Sequence, residues 1–247
     1  MMGTERLRRT HKRLLFTLAT LILALPACSN RNRATFIAGI QPDMVKQVES
    51  ARQDLRKGDY AMAIARTDLV AFDRPLNIYP NFENVSPAQQ RVCLRALAAG
   101  MNVWRDAFQA TQYRLVDSSE DADVQVYFQR NVNEEDCEVG GYVRWRRSIV
   151  MVGDQPKAQT QADAEIRVES PDGGPMTFEQ MRHECAHELG HVLGLLDSPR
   201  PGEIMSMLDL DHPVGHAVHF EVHAIQQVRR LATEVREEAL SDATSKV

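Results

Sequence analysis

The C-terminal third of the chain contains the stretch His187-Glu188-Leu189-Gly190-His191-Val192-Leu193-Gly194-Leu195-Leu196-Asp197. On a helix, residues four apart lie on the same face, so His187 and His191 can bind one ion through their ring nitrogens. Glu188 directly follows the first histidine, which places a carboxylate where it can take a proton from a metal-bound water. The stretch therefore predicts a helical zinc site with its own general base.

Two further residues complete this pattern. Gly194 lies three residues after His191, where a residue without a Cβ lets the helix end in a left-handed conformation and the chain turn back. Asp197 then returns to the metal, since carboxylate oxygens at about 2.0 to 2.2 Å are ordinary zinc ligands. Two imidazoles and one carboxylate leave a fourth coordination position for water.

The completed pattern resembles that of the metzincin clan of metallopeptidases, H-E-x-x-H-x-x-G-x-x-H followed by a methionine turn. It departs at the last position, where Asp197 replaces histidine as in the snapalysin family, and Ser198 follows as in matrixins. The resemblance implies a Zn²⁺-dependent endopeptidase with His187, His191 and Asp197 as ligands and Glu188 as the base. An anionic third ligand lowers the net charge at the metal, so its water is expected to be less acidic than with three imidazoles.

The methionine turn that this resemblance implies is best matched by Glu203-Ile204-Met205-Ser206. Met205 is then expected to form an apolar floor under the metal. Matrixins usually carry a tyrosine directly after this methionine, whereas Ser206 stands here. A tyrosine contribution to transition-state stabilisation is therefore not expected.

A second H-E-x-x-H frame, His183-Glu184-Cys185-Ala186-His187, overlaps the first. It has Leu189-Gly190-His191 where the glycine spacing should fall, and no helix-ending residue there. The frame that begins at His187 is therefore favoured. His183 is expected one turn before the site, either on the helix surface or in support of the ligands.

The first 27 residues are predicted to be a signal peptide, because a basic segment precedes an apolar run of 14 residues, Leu14 to Ala27, that is too short for a permanent span. The following junction, Ala27-Cys28-Ser29, resembles a bacterial lipoprotein processing site, which implies a lipid anchor on Cys28. The alternative is ordinary secretion. Ser29 carries no acidic signal for inner-membrane retention, so the resemblance favours the outer membrane.

The composition argues against nucleic acid as a partner and leaves the pairing of the cysteines open. The net charge of −5 makes nucleic acid an unexpected partner, and removing the basic leader makes the chain more acidic still. Assigning Cys28 to lipid leaves three cysteines. In an oxidising compartment one pair can form, and Cys93 with Cys137 is favoured because Cys185 lies on the zinc helix, roughly opposite the ligand face.

The chain divides into five segments. Residues 28–41 are predicted to be a tether and residues 42–73 a helical hairpin, with a break at Lys57-Gly58-Asp59. The hairpin resembles a single tetratricopeptide unit; it is expected to pack on the catalytic domain or act as a spacer, with peptide docking as the alternative. Residues 74–240 are predicted to be the catalytic domain and residues 241–247 a disordered tail.

Within the catalytic domain, the predicted order is a strand, a long helix capped by Ser86, several short strands, the zinc helix capped by Thr177, and a final helix over 220–239. The predicted strands cover residues 76–79, 113–116, 124–128, 141–145, 149–152 and 164–168. This is an α+β class, and the metzincin resemblance implies a twisted mixed sheet. It also implies an antiparallel edge strand that can bind an extended substrate, although the sequence does not identify which strand.

These patterns predict a zinc endopeptidase acting on protein or peptide at the cell envelope or after secretion. The alternative from a different class is an envelope lipoprotein with a structural or degenerate zinc site and a partner-docking hairpin. The intact Glu188 argues against it, because a structural site needs no base and usually has four protein ligands. Hydrolysis of a non-protein amide would require the same residues.

Overall fold

A computed structural model describes residues 36–134 and 137–245. The predicted signal peptide and Cys28 lie outside these residues. In chain order, the helices and strands are α1 Pro42–Lys57, α2 Tyr60–Ala71, β1 Leu76–Asn81, α3 Pro87–Phe108, β2 Tyr113–Leu115, β3 Val124–Gln129, β4 Val132–Glu134, β5 Cys137–Val139, β6 Gly141–Val152, β7 Gln155–Arg167, α4 Phe178–Val192 and α5 His219–Ser245. None of these helices has the length and apolar character needed to cross a membrane.

The main sheet has five strands in the order β2-β1-β3-β7-β6. Strands β2, β1, β3 and β7 run parallel, while β6 pairs antiparallel with β7 and forms one edge. The two strands predicted over 141–145 and 149–152 are one continuous strand, which turns into β7 at Gly153 with a φ of 61°. The predicted α+β fold with a mixed sheet is thereby confirmed, and β6 is the antiparallel edge strand.

The long helix α3 brings the zinc helix α4 close to the sheet. Its N-terminus has the predicted capping box between Ser86 and Gln89, with proline at the first turn. Gly100 faces α4 so closely that a Cβ there would lie 2.8 Å from the Cβ of Cys185. The indole of Trp104 is fully buried and donates a hydrogen bond of 2.8 Å to the carbonyl oxygen of Ala186. Helix α3 therefore fixes the position of α4.

The prediction that Cys93 pairs with Cys137 is not supported by the structure. Cys93 is a free thiol, fully buried on the face of α3 that packs on α4, near Cys185. Burial raises the pKa of the Cys93 thiol to about 11, so the group stays protonated at neutral pH. The sequence showed that one pair was possible but not which cysteines point into the core.

The N-terminal helices form the predicted hairpin and pack on the rest of the fold, which is the first of the two expectations for this segment. Gly58 ends α1 in the left-handed conformation, with a φ of 79°, and α2 begins two residues later. Both helices pack on α5, and α2 also packs on β7. The tether predicted over residues 28–41 extends too far along the chain. Ile37 and Ile40 are buried in the core, and Ile40 forms a bridge with Leu195.

The predicted disordered tail is wrong at least up to Ser245, where α5 ends. The helix is held by apolar residues that recur on one face, and one of them, Ala239, is fully buried. This regular face continues the contact with α1 and α2. The polar composition beyond residue 240 was a poor guide because a helix anchored by its earlier turns can extend into solvent.

Candidate metal centre and active-site cleft

Helix α4 begins where the sequence predicts. The Thr177 side chain accepts a hydrogen bond from the Gln180 backbone N–H, and the Gln180 side chain bonds back to the Thr177 N–H at 2.8 Å. This capping box satisfies two helix donors and sets the start of the helix. Most of the helix lies inside the protein, and its exposed polar residue Glu179 belongs to the first turn.

Three ligand atoms converge at the end of this helix. His187 Nε2 lies 3.1 Å from His191 Nε2, and Asp197 Oδ1 lies 3.2 Å and 3.3 Å from these two nitrogens. Tetrahedral zinc with bonds of about 2.0 to 2.1 Å holds its ligand atoms about 3.3 Å apart. The predicted ligands therefore fit one zinc ion, and His187, His191 and Asp197 are the only such group among the described residues.

Each histidine ring is oriented by a backbone carbonyl. His187 Nδ1 lies 2.9 Å from the Ile204 oxygen, and His191 Nδ1 lies 2.9 Å from the Leu195 oxygen. Because a carbonyl only accepts, Nδ1 must carry the proton and Nε2 keeps the lone pair that a metal needs. The Trp145 ring also stacks on His191, with 6.1 Å between the ring centroids. Both rings thus present the correct nitrogen to the metal.

The turn after α4 is held by a residue from the N-terminal segment. Gly194 has a φ of 106°, as the sequence predicts for the helix end, and Met44 packs so closely that a Cβ there would lie 2.9 Å from it. Gln41 Nε2 donates hydrogen bonds to the carbonyl oxygens of His191 and Leu195, at 3.0 and 2.9 Å. The predicted tether therefore ends in a residue that shapes the metal site.

Arg147 of β6 adds a second clamp on the same turn. Its guanidinium donates to the Val192 carbonyl at 2.9 Å and pairs with Asp43 at 2.6 Å. Burial lowers the pKa of Arg147, and Asp43 counteracts this effect. Sequence reasoning did not identify Gln41 or Arg147, because nothing in their local spacing relates them to the zinc helix.

Met205, the predicted methionine of the turn, packs against Gly190 of α4, next to the ligand His191. It is buried, and a Cβ on Gly190 would collide with its sulfur, so glycine is required at this point of α4. The turn is held by the buried carboxylate of Glu221, which accepts hydrogen bonds of 2.7 Å from the backbone N–H groups of Met205 and Val218. Sequence reasoning did not identify Glu221 either.

Glu188 lies beside the ligands, under the first residue of the edge strand. A Cβ on Gly141 would be 2.5 Å from Glu188 Oε1, and a Cβ on Gly140 would collide with the Glu184 carboxylate. The two glycines allow β6 to pass directly over both carboxylates of α4. Glu188 and Glu184 are each more than nine-tenths buried, and burial raises the pKa of Glu184 to about 7.

His183, from the overlapping frame, is fully buried and supports the site instead of binding the metal. Its Nε2 donates to the Ser206 carbonyl, at 3.2 Å, and its Nδ1 accepts from the Val214 N–H, at 3.0 Å. Both ring nitrogens are therefore used by the backbone. Burial lowers the pKa of His183 to about 4, so the ring is neutral at physiological pH.

The charges around the ligands favour a cation. Burial disfavours the protonated ring of His187, but the Asp197, Glu188 and Glu184 carboxylates outweigh it and raise the pKa of His187 to about 9. Hydrogen bonds from His187 and His191 hold the pKa of Asp197 well below its usual range. Protons and a metal ion therefore compete for the same group of ligands.

The metal site opens into a cleft of about 850 Å³ between β6, α4 and the segment after the methionine turn. Its lining includes all three ligands, Glu188 and Glu184. The outer edge of β6 forms no strand pair with any described residue. An extended chain laid along this edge would pass beside Glu188 and the ligands.

Comparison with known proteins agrees with this geometry. The sequence model of the family described as matrixin matches residues 77–228, which begin within β1, include the three metal ligands and Glu188, and end within α5. The match also includes Asp197 and Met205. A search of curated proteins finds no match.

Proposed function

Since the chain belongs to the matrixin family of zinc metallopeptidases, we propose that it is an endopeptidase of the bacterial cell envelope in which Glu188 is the general base. The observation that carries the proposal is the convergence of three ligand atoms, 3.1 to 3.3 Å apart, at an open cleft beside this carboxylate. A structural zinc site would be closed by a fourth protein ligand.

The substrate is an extended peptide bound along β6. Edge strands bind such chains by main-chain hydrogen bonds, and the unpaired edge of β6 runs past the ligands. Because a strand-like substrate continues on both sides of the scissile bond, cleavage inside a chain is favoured over removal of terminal residues. The substrate is therefore protein or peptide, cleaved internally.

Glu188 moves the proton in this reaction. When bound, zinc acidifies a water and polarises the scissile carbonyl. Glu188 takes the proton of the attacking water and passes it to the leaving amine. Gly141 holds the substrate strand close to this carboxylate, and the carbonyls of Ile204 and Leu195 keep the ligand rings in their binding tautomer.

The proposed location depends on the N-terminus. A cleavable leader followed by Cys28 supports a lipid anchor and an outer-membrane site, with secretion as the alternative. Labelling of the full chain with radioactive palmitate in a bacterial host tests this location. We expect a label that Cys28→Ala abolishes, and an unlabelled, secreted product would overturn the anchor.

The proposed mechanism is tested by Glu188→Ala in the zinc-loaded protein. We expect an unchanged zinc content and loss of casein cleavage by about 10³-fold or more, because the proton relay is removed while the ligands stay. The matched control is Glu179→Ala, an exposed glutamate on the same helix, which should retain activity. Undiminished cleavage by Glu188→Ala would reject Glu188 as the base. Full zinc occupancy without hydrolysis of any peptide by the unaltered chain would favour a structural site.

A further inference from the structure

Glu184 is a buried carboxylate in the cleft that the proposed mechanism does not use. It lies on α4 one turn before Glu188, lines the same cavity as the ligands and is only 4% exposed. The carboxylate packs directly against the backbone of Gly140 at the start of the edge strand, since a Cβ there would collide with it. Glu184 therefore lies in the wall of the cleft, beside the edge along which a peptide would bind.

Within residues 36–134 and 137–245, Glu184 accepts no hydrogen bond and forms no ion pair. The described charge acting on it is that of His187, whose ring nitrogens are committed to the Ile204 carbonyl and the metal site. Burying a carboxylate without a hydrogen-bond donor or a cation is unfavourable. A cationic group brought by a ligand would remove this penalty.

The surroundings of Glu184 suit a long basic side chain. The cavity also contains the acidic residues Glu138 and Glu169, which pair with Arg167 at 3.0 Å and with Arg130 at 3.7 Å. Arg167, the one arginine in the lining, is therefore already bound to a carboxylate and does not neutralise Glu184. The other walls are apolar and can pack against methylene groups. These wall residues are Val139, Met176, Leu208 and Leu210.

We propose that this pocket selects substrates with lysine or arginine directly after the scissile bond, with Glu184 binding the cation. The proposal rests on the proposed peptidase function. Glu188 gives its proton to the leaving amine, so the residue on the amine side lies next to it. Glu184 is one turn further along α4, about 6 Å away along the axis, which matches the length of an extended lysine side chain.

Paired peptides that differ only in lysine or norleucine after the cleaved bond test the pocket. We expect kcat/KM to be about tenfold or more higher for lysine, because norleucine keeps the apolar contacts and lacks only the cation. In the zinc-saturated protein, Glu184→Gln should remove this preference, so that the ratio of the two kcat/KM values falls to about one. The control Glu179→Gln should leave the preference intact. Equal kcat/KM values for the two peptides in the unaltered protein would overturn the proposal.

Peptide binding, measured in a variant that does not cleave, tests the pocket independently of the peptidase activity. Calorimetry on zinc-loaded Glu188→Ala measures the affinity of the same two peptides without hydrolysis. The lysine peptide should bind about tenfold more tightly, and adding Glu184→Gln should equalise the two. Cleavage without lysine preference would reject only the pocket, whereas selective binding without cleavage by the unaltered chain would reject only the peptidase. Equal binding of the two peptides would reject the pocket in either case.

Discussion

Two H-E-x-x-H frames overlap on α4, and the structure gives them different roles. In the frame that begins at His187, each histidine uses Nδ1 on a carbonyl and turns Nε2 toward Asp197. In the frame that begins at His183, the first histidine has both nitrogens bound by backbone groups. The same four-residue spacing therefore does not make every histidine a ligand. A histidine can bind a metal only when its second ring nitrogen is not already bound by a backbone group.

The largest expected effect comes from removing one ligand of the first frame. His187→Ala should abolish stoichiometric zinc binding and lower peptide cleavage by about 10³-fold or more, because two remaining ligands do not hold the ion. His183→Ala should keep one zinc per chain and lose about 1 to 3 kcal/mol of stability from its buried hydrogen bonds. Zinc content by mass spectrometry and thermal unfolding measure both. Zinc loss in His183→Ala alone would reverse the assignment of the two frames.

The second prediction concerns the residue that completes the first frame. Asp197→Ala should weaken zinc binding by about 100-fold, while Asp197→His should largely restore it. The histidine variant should also move the acidic limb of the rate profile to lower pH, because a neutral third ligand makes the bound water more acidic. Chelator competition and pH–rate profiles measure these effects. An acidic limb that does not move in Asp197→His would contradict the electrostatic argument.

The third prediction uses pH to separate the two histidines. The carboxylates around His187 raise its pKa to about 9, so a proton must leave before zinc binds to the metal-free protein. The apparent zinc affinity should therefore rise with pH by about tenfold per unit between pH 7 and 9 and level off above that range. His183, with its pKa lowered to about 4, is neutral throughout, so His183→Ala should show the same slope. A flat affinity across this range would contradict the prediction.

The smallest expected effect concerns the turn that only the first frame possesses. Gln41→Ala removes the hydrogen bonds to the His191 and Leu195 carbonyls, with a cost of about 1 to 3 kcal/mol. For a protein of this size we expect a fall in Tm of about 2 to 10 °C and a modest loss of zinc affinity. The control is Glu179→Ala, since Glu179 is exposed and lies far from this turn in the sequence. An unchanged Tm would mean that the turn is stable without Gln41.

Local signals were sufficient for the helix starts and for some strands, whereas β6 was predicted as two strands and β4 and β5 were not predicted. The capping boxes at Ser86 and Thr177 mark the starts of α3 and α4 where the sequence predicts them, because a cap involves residues only three positions apart. The alternation of apolar and polar residues over 124–128 identifies β3, because this pattern is also local. Segments whose role depends on distant contacts were predicted less well, as the tether end and the tail of α5 show.

The same division holds within the site. Spacing alone placed His187 and His191 on one helix face, Glu188 directly after the first of them and Gly194 at the end of the helix. It did not reveal Gln41, Arg147 or Glu221, whose contacts join separate elements of the chain, up to 154 positions apart for Gln41 and Leu195. Nor did it indicate that Glu184 of the rejected frame faces the cleft.

The sequence by itself determined the helix, its cap, the ligand types and the glycine turn, since these follow from the 3.6-residue period and from backbone conformations available to each residue. Only the tertiary structure decided which histidine nitrogens stay free, which strand forms the open edge and where Glu184 points. Those outcomes depend on which carbonyls and side chains distant segments bring to α4. No local pattern encodes such contacts, because they form only when the strands and helices pack together.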